Sequence, residues 1–295
     1  VDYDATFAPT ATFVSLRLIL TLAGKFNWPV FSFDFVAAYL NAPIDEEVWV
    51  EAPEGLDVRP GEAMLLHKAL YGTKQAARCW WLHLKGVLKD LGFESSQYDN
   101  SLYTIKHRSC RGVIWIHVDD GVVTSSSDTL LHELERQLKG LLKIKWSEGL
   151  DSMVGLEIKR QQSGFSLHQP KLISQLLSTH WDGVITHKTP LPTNLELVTD
   201  PAGDPNQSSN FLSVIGMLSY LAVGSRPDIA FAVNLLARFS ASPGKNHWKG
   251  VRHLIGYVAD SKDVSLNLFP NSCPKPLKCY CDASWGGEFA KSTYG

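Results

Sequence analysis

Two stretches of this 295-residue chain put carboxylates where an apolar strand should run, and nothing else in the sequence constrains the fold as tightly. Residues 30–40 read VFSFDFVAAYL, a β-prone run of Phe and Val after Pro29 with Asp34 in its middle. Residues 112–123 read GVIWIHVDDGVV, two apolar strands meeting at Asp119-Asp120-Gly121, where Gly supplies a positive φ and Asp tolerates one. An ionised Asp in a buried strand is costly unless it is paired or bound to metal. Three carboxylates at neighbouring strand ends form an acidic cluster able to hold Mg²⁺, which prefers oxygen ligands together with substrate phosphates. Two such ions about 3.5 to 4 Å apart clamp the attacking and leaving oxygens of an in-line phosphoryl displacement. Each signal alone has a plainer reading, D-D-G as an ordinary turn and Asp34 as a strand-edge or cap residue.

Length and composition bound the rest. A chain of this size corresponds to about two domains, and 44% hydrophobic with 20% charged residues is an ordinary globular composition. The longest apolar stretches, such as Leu18 to Gly24, fall well short of the roughly 18 residues of a membrane span, so no membrane partner is expected. The chain starts at Val1 without a Met or a leader and reads as a piece of something longer. Five cysteines without C-x-x-C spacing (Cys79, Cys110, Cys273, Cys279 and Cys281) argue against a disulfide framework and a zinc site, and read as inert.

Helices are expected over residues 13–25 and over a long amphipathic run from Lys68 to Gly92, entered from Tyr71-Gly72. LLHELERQLKGLL and PKLISQLLSTH read as further helices, with the hairpin GLEIKRQQSGFSLH between them. Pro190 to Asn206, dense in turn residues, is the linker candidate and the expected place of the main boundary. Beyond it come three helical segments, FLSVIGMLSYLAVGS, PDIAFAVNLLARFSAS and HWKGVRHLIGYVA, and then the β-like VSLNLF and LKCYCDASW.

VDYDATFAP, FSFDFVAAYLNAPIDEEVWVEAPEGL, ALYGTKQAARCWW, GFESSQYDNSLY, HVDDGVV, GLEI, IGMLSYLAVGSRPDIAFAVNLLARF and GKNHWKGVRHLIGYV follow one another in an order and spacing that resemble the reverse transcriptase of copia-type LTR retrotransposons. The resemblance covers essentially the whole chain. It implies an α/β (α+β) right-hand polymerase: a palm sheet with partial fingers to about residue 165, a helical thumb region at 166–262, and the start of an RNase H-like domain at 263–295. It also implies that Asp34 and Asp119 ligate two Mg²⁺ ions, with Mn²⁺ as the alternative, and that Asp120 supports the site. Tyr39 matches the aromatic that excludes a ribose 2′-hydroxyl, and Gln75 the glutamine near the incoming nucleotide, with Lys74 and Arg78 placed to meet its phosphates. By the residues alone, Tyr39 equally reads as a core aromatic at a helix start, and Lys74 with Arg78 as a solvated helix face. The partners implied are an RNA template, a DNA primer or primer tRNA, dNTPs and the rest of a Gag-Pol polyprotein. The compartment implied is the cytoplasm, within a virus-like particle, with the nucleus second.

A net charge of -2 gives no hint of a nucleic-acid partner, but charge is segregated. Ala63 to Lys89 holds Lys68, Lys74, Arg78, Lys85 and Lys89 with no acidic residue, and Ile229 to Ala259 holds Arg238, Lys245, Lys249 and Arg252 with none either. Acid-free basic stretches suit a duplex-binding cleft. The interleaved Trp80, Trp81 and Trp248 read as core residues rather than base-stacking platforms. The hairpin GLEIKRQQSGFSLH matches the element that aims the primer end.

Three departures from the family pattern stand out. His117 occupies a position usually held by Tyr or Phe, Ala77 replaces a common Pro, and the basic finger strands that precede VDYDATFAP are absent. CDASWGGEFAKSTYG resembles the opening of an RNase H domain, Asp282 matching its first metal ligand, with Glu288 better read as a turn carboxylate. The further carboxylates such a site needs do not follow, so no RNase H activity is expected. Two rival readings use the same residues: a folded polymerase relic that at most binds nucleic acid, and a Mg²⁺-dependent phosphohydrolase acting without a primer.

Overall fold

The structure, a computed structural model, describes residues 6–56, 59, 61–107, 109–193, 195, 197, 208–272, 283–284 and 293–294. The chain divides into two compact units, Val1–Leu150 and Asp151–Gly295. The division falls before the hairpin GLEIKRQQSGFSLH, which belongs to the second unit, whereas the sequence reading ended its first domain at about residue 165 and set its main boundary near 190–206.

The first unit contains helices α1 (Phe13–Phe26), α2 (Ala76–Asp90) and α3 (Asp128–Leu141). Its strands are β1 (Val30–Phe35), β2 (Trp49–Glu51), β3 (Ala63–Leu65), β4 (Glu94–Ser95), β5 (Leu102–His107), β6 (Cys110–His117), β7 (Asp120–Ser125) and β8 (Ile144–Glu148). Six of them form one antiparallel sheet in the order β4-β5-β6-β7-β1-β8, and β2 pairs with β3. Phe31, Phe33 and Phe35 share a core with Ile114, Ile116 and Val123 of the neighbouring strands, with Trp80, Leu84 and Leu88 of α2, and with Leu131, Leu134 and Leu138 of α3. The other face carries α1, whose Leu16, Ile19, Leu20 and Ala23 are buried. Thr12 caps α1, its hydroxyl accepting from Ser15 N, as a helix start requires. Asp99 anchors the same corner, accepting from the Ser15 and Thr12 hydroxyls and from Ser101 N.

Three readings need correction. Residues 30–40 are not one buried strand. The strand stops at Phe35, Ala37 turns left-handed (φ 52°), and a 3₁₀ helix follows over Ala38–Asn41. Because side chains alternate across a strand, the phenylalanines face inward while Ser32 and Asp34 lie on the opposite, half-exposed face, which removes most of the cost assigned to Asp34. Lys68–Gly92 is not all helix, since residues 71–75 form turns around Gly72 (φ 100°) and α2 begins at Ala76.

In the second unit, β9 (Ser152–Met153), β10 (Leu156–Gln161), β11 (Gly164–His168) and β12 (Leu266–Leu268) form an antiparallel sheet in the order β12-β11-β10-β9. A Cβ at Gly164 would lie 2.0 Å from the Leu268 carbonyl oxygen, so the close approach of β12 requires glycine there. Helices α4 (Pro170–His180), α5 (Ser208–Gly224), α6 (Ala230–Ala237) and α7 (Lys245–Asp260) bury a second core that includes Leu176, Phe211, Leu218, Leu236 and Leu254. Residues of the expected linker at 194, 196 and 198–206 lie outside the described residues, but Leu191 and Leu197 on either side pack against this core. Cys273, Cys279, Cys281, Asp282 and Glu288 also lie outside the described residues. A short pair, β13 (Ala283–Ser284) with β14 (Thr293–Tyr294), is described near the end. No described helix is long and apolar enough to cross a membrane.

Candidate active site

The register of the central sheet decides where the carboxylates go. On β1, Asp34 lies directly opposite Asp120 of β7, and Asp120 lies opposite His117 of β6. Directly opposed residues on one face of an antiparallel pair have Cβ atoms about 5 Å apart. Asp119 follows in the turn, its carbonyl oxygen accepting from Phe35 N at 2.8 Å. The fold thus joins residues 34, 119 and 120 at one sheet end.

The turn itself differs from the sequence reading. The pair His117–Asp120 leaves Val118 and Asp119 as the two loop residues, and Val118, not Gly121, takes the left-handed conformation (φ 59°). A two-residue hairpin of this hand ordinarily recruits Gly, Asn or Asp. A β-branched residue there is strained by about 1–3 kcal/mol. Trp80 Nε1 donates to the Val118 carbonyl at 2.7 Å and holds it. Gly121 is required for a different reason: a Cβ would lie 2.1 Å from Phe33 Cζ, so the aromatic core forbids any side chain at that point in β7.

The electrostatics follow from crowding like charges. Burial raises the carboxyl of Asp120 above the usual carboxylate range, the negative charges of Asp119 and Asp34 push it further, and His117 partly offsets them. Asp34 has found a cation, Lys145 of β8, which sits opposite it in register and donates to Oδ2 at 3.0 Å. Among the described residues no three His, Cys, Asp or Glu side chains are drawn together tightly enough to hold a metal ion. The donors are nonetheless of the type a hard divalent cation takes, carboxylate oxygens, with the charges of Asp34 and Asp119 acting on Asp120 and with Lys145 the cation that Asp34 holds in its place. His117, beside this cluster, stacks on Trp115 (centroids 5.8 Å apart), and its Nδ1 is buried with no hydrogen-bond partner.

Tyr39 lies on the 3₁₀ helix after β1, stacked on Tyr71 with ring centroids 4.2 Å apart. Burial raises its hydroxyl pKa, as do Tyr71 and the charge of Asp119. Gln75 is buried (4% exposed) at the start of α2, and Lys74 beside it is exposed. Arg78 is not a free helix-face cation, since its Nη1 donates to Asp45 Oδ2 at 2.8 Å, and Cys79 Sγ donates to the other oxygen of Asp45 at 3.1 Å. Trp80 is fully buried, while Trp81 and Trp248 are half-buried. Sequence reasoning missed Asp45, Lys145 and the Trp80 hydrogen bond. Nothing local marks Lys145, which meets Asp34 only because β8 adds to the edge of β1.

Residues 1–191 match the family model described as "Reverse transcriptase (RNA-dependent DNA polymerase)". The chain belongs to that family. It is 31% identical over 293 residues to the Retrovirus-related Pol polyprotein from transposon RE1 of Arabidopsis thaliana, covering 98% of this chain and 20% of that protein. It is 29% identical over 300 residues to the corresponding polyprotein from transposon TNT 1-94 of Nicotiana tabacum, covering 98% and 22%. With the Transposon Ty1-DR1 Gag-Pol polyprotein of Saccharomyces cerevisiae it shares 25% identity over 318 residues, covering 95% and 17%. This reverse transcriptase chain therefore spans about a fifth of the length of the curated relatives it matches. These three relatives are Pol or Gag-Pol polyproteins of transposons.

Proposed function

We propose that this chain performs RNA-directed DNA polymerisation: the 3′-hydroxyl of a primer attacks the α-phosphate of a template-paired dNTP, and pyrophosphate leaves. The observation that carries the reading is the register that sets Asp34 against Asp120, with Asp119 tied to Phe35 in the adjoining turn. Asp34 and Asp119 would hold two Mg²⁺ ions, or Mn²⁺, with Asp120 supporting them; the ions supply charge neutralisation at the reacting phosphate. The chain's own residues supply position. Tyr39, braced by Tyr71, offers a fixed ring against which a ribose 2′-hydroxyl would clash. Gln75 contacts the incoming nucleotide from the start of α2. Lys74 and Arg78 would meet its phosphates, Arg78 on exchanging Asp45 for phosphate.

Residues 1–165, which hold the sheet of the first unit and the strands that open the second, suit the palm with part of the fingers. The region at 166–262 suits the thumb, and 263–295 the start of an RNase H-like domain. The partners of this reading are an RNA template, a DNA primer or primer tRNA, and the remainder of a Gag-Pol polyprotein in a cytoplasmic virus-like particle. Extension of oligo(dT) on poly(rA) with Mg²⁺ and dTTP, lost in Asp119→Asn, is the expected result. Wild-type protein that stays folded and binds the hybrid without extending it would establish instead a polymerase relic, the second reading. That reading draws on the Lys145–Asp34 pair.

A further inference from the structure

Trp80 does more than fill the core of the first unit. Its ring packs edge-on against Phe35 (centroids 5.1 Å apart), a role that any large aromatic would serve. Its indole N–H is spent on one specific acceptor, the carbonyl of Val118, at 2.7 Å. Val118 is an exposed valine held at φ 59° in a two-residue turn, a conformation that its β-branched side chain opposes. The turn backbone is pinned at two points, by Trp80 at Val118 and by Phe35 N at the Asp119 carbonyl. Remove the first pin and Val118 is free to return to negative φ, which rotates the peptide plane leading into Asp119.

We infer that Trp80 is a positioning residue: its N–H holds Val118 left-handed and so fixes the direction in which Asp119 and Asp120 are presented. The inference rests on the polymerase reading, and deepens it. The same helix carries Gln75 at its start and Trp80 five residues on, so the hydrogen bond joins the proposed nucleotide side of α2 to the catalytic turn. Valine rather than glycine at 118 then has a consequence. Glycine would adopt the turn unaided but would also leave it, whereas valine held by an external donor is confined to one presentation as long as α2 stays docked.

The test uses Trp80→Phe, Val118→Gly and the double variant in the full chain, with steady-state primer extension on poly(rA)/oligo(dT), thermal unfolding, and amide hydrogen exchange in the segment from Ile116 to Gly121. Trp80→Phe should lower kcat by about tenfold, the scale of one lost hydrogen bond. It should leave KM for dTTP within about twofold and speed exchange in the turn while α2 stays protected. In the Val118→Gly background the same substitution should cost at most about threefold, because the strain that the indole restrains is gone. Unchanged kcat and exchange in Trp80→Phe would overturn the inference. So would a loss of equal size in the Val118→Gly background. Should Trp80→Phe fail to fold, the isosteric benzothienylalanine at position 80, which lacks only the N–H, replaces it. A wild-type chain that extends no primer would sink the polymerase reading alone, and the exchange measurements would still decide the role of Trp80.

Discussion

Asp120 in the first unit and Asp228 in the second are both carboxylates that burial pushes toward neutrality, and their surroundings resolve that pressure in opposite directions. At Asp228 burial is outweighed by hydrogen bonds from Arg226 and Tyr257 and by the Arg226 charge, so the group sits below the usual carboxylate range. Arg226 is fully buried, bonds Asp228 through Nε and Nη2 at 2.8–3.2 Å, and spends Nη1 on the Ser261 carbonyl at 2.8 Å. Every charge there has an opposite, and the network ties the end of α5 to the end of α7. At Asp120 burial is reinforced by Asp119 and Asp34, and the turn beside it stores backbone strain. A saturated network serves the fold; the less balanced one at Asp120 is where the proposed function puts its ligand.

The sharpest way to break this contrast is to remove charge from each side. Asp119→Asn should lower primer extension by about a thousandfold, the scale of losing a principal electrostatic element of a site. Unfolding should move little, as measured by circular dichroism. If activity survives, the unbalanced cluster has another purpose. Arg226→Met should do the reverse to the second unit. It strands a carboxylate and should cost about 3 kcal/mol in urea unfolding, most of it recovered in Arg226→Met with Asp228→Leu. Since the folded pKa of Asp228 is depressed, its contribution is present above the unfolded value and fades as pH falls below about 4. The cost of Arg226→Met should shrink there too.

Which of these features the sequence discloses depends on the range of the forces involved. The alternation of Phe31, Phe33 and Phe35 and the two apolar arms around residues 119–121 are local, and they mark β1, β6 and β7 with a carboxylate at each joint. Locally D-D-G is the stronger hairpin signal, but the fold spends Gly121 on clearance for Phe33 and bends at Val118 instead. Only tertiary structure says that Trp80 makes that bend tolerable. Arg78 and Lys145 look like solvated cations in the sequence, and their partners Asp45 and Asp34 are distant along the chain. Arg226, Pro227 and Asp228 are adjacent, yet nothing local distinguishes a buried Arg–Asp pair from an exposed one.

A smaller effect tests whether the aromatic pair belongs to the unbalanced site. Tyr39→Ala removes the ring that stacks on Tyr71 and feels the charge of Asp119, and it should reduce the preference for dTTP over UTP by about tenfold. The comparison is the ratio of kcat/KM values in single-nucleotide extension. An unchanged ratio would assign Tyr39 to packing alone.

The smallest effect carries the most direct sign. Because the folded pKa of Asp120 is raised, the stability linked to its protonated form is present at acid pH and is lost as pH rises through the carboxylate range. At neutral pH the ionised group therefore works against the fold. Asp120→Asn should stabilise the first unit by less than about 1 kcal/mol at pH 7.5, the scale of partly exposed charge interactions. The gain should vanish at about pH 3, where the carboxyl is neutral in both states. Millimolar Mg²⁺ should stabilise the wild-type chain more than Asp120→Asn, because a ligand that binds only the folded state adds stability in proportion to its affinity for that state. A variant less stable than wild type at pH 7.5 without Mg²⁺ would mean that Asp120, like Asp228, is held by favourable partners, and the contrast between the two units would be lost.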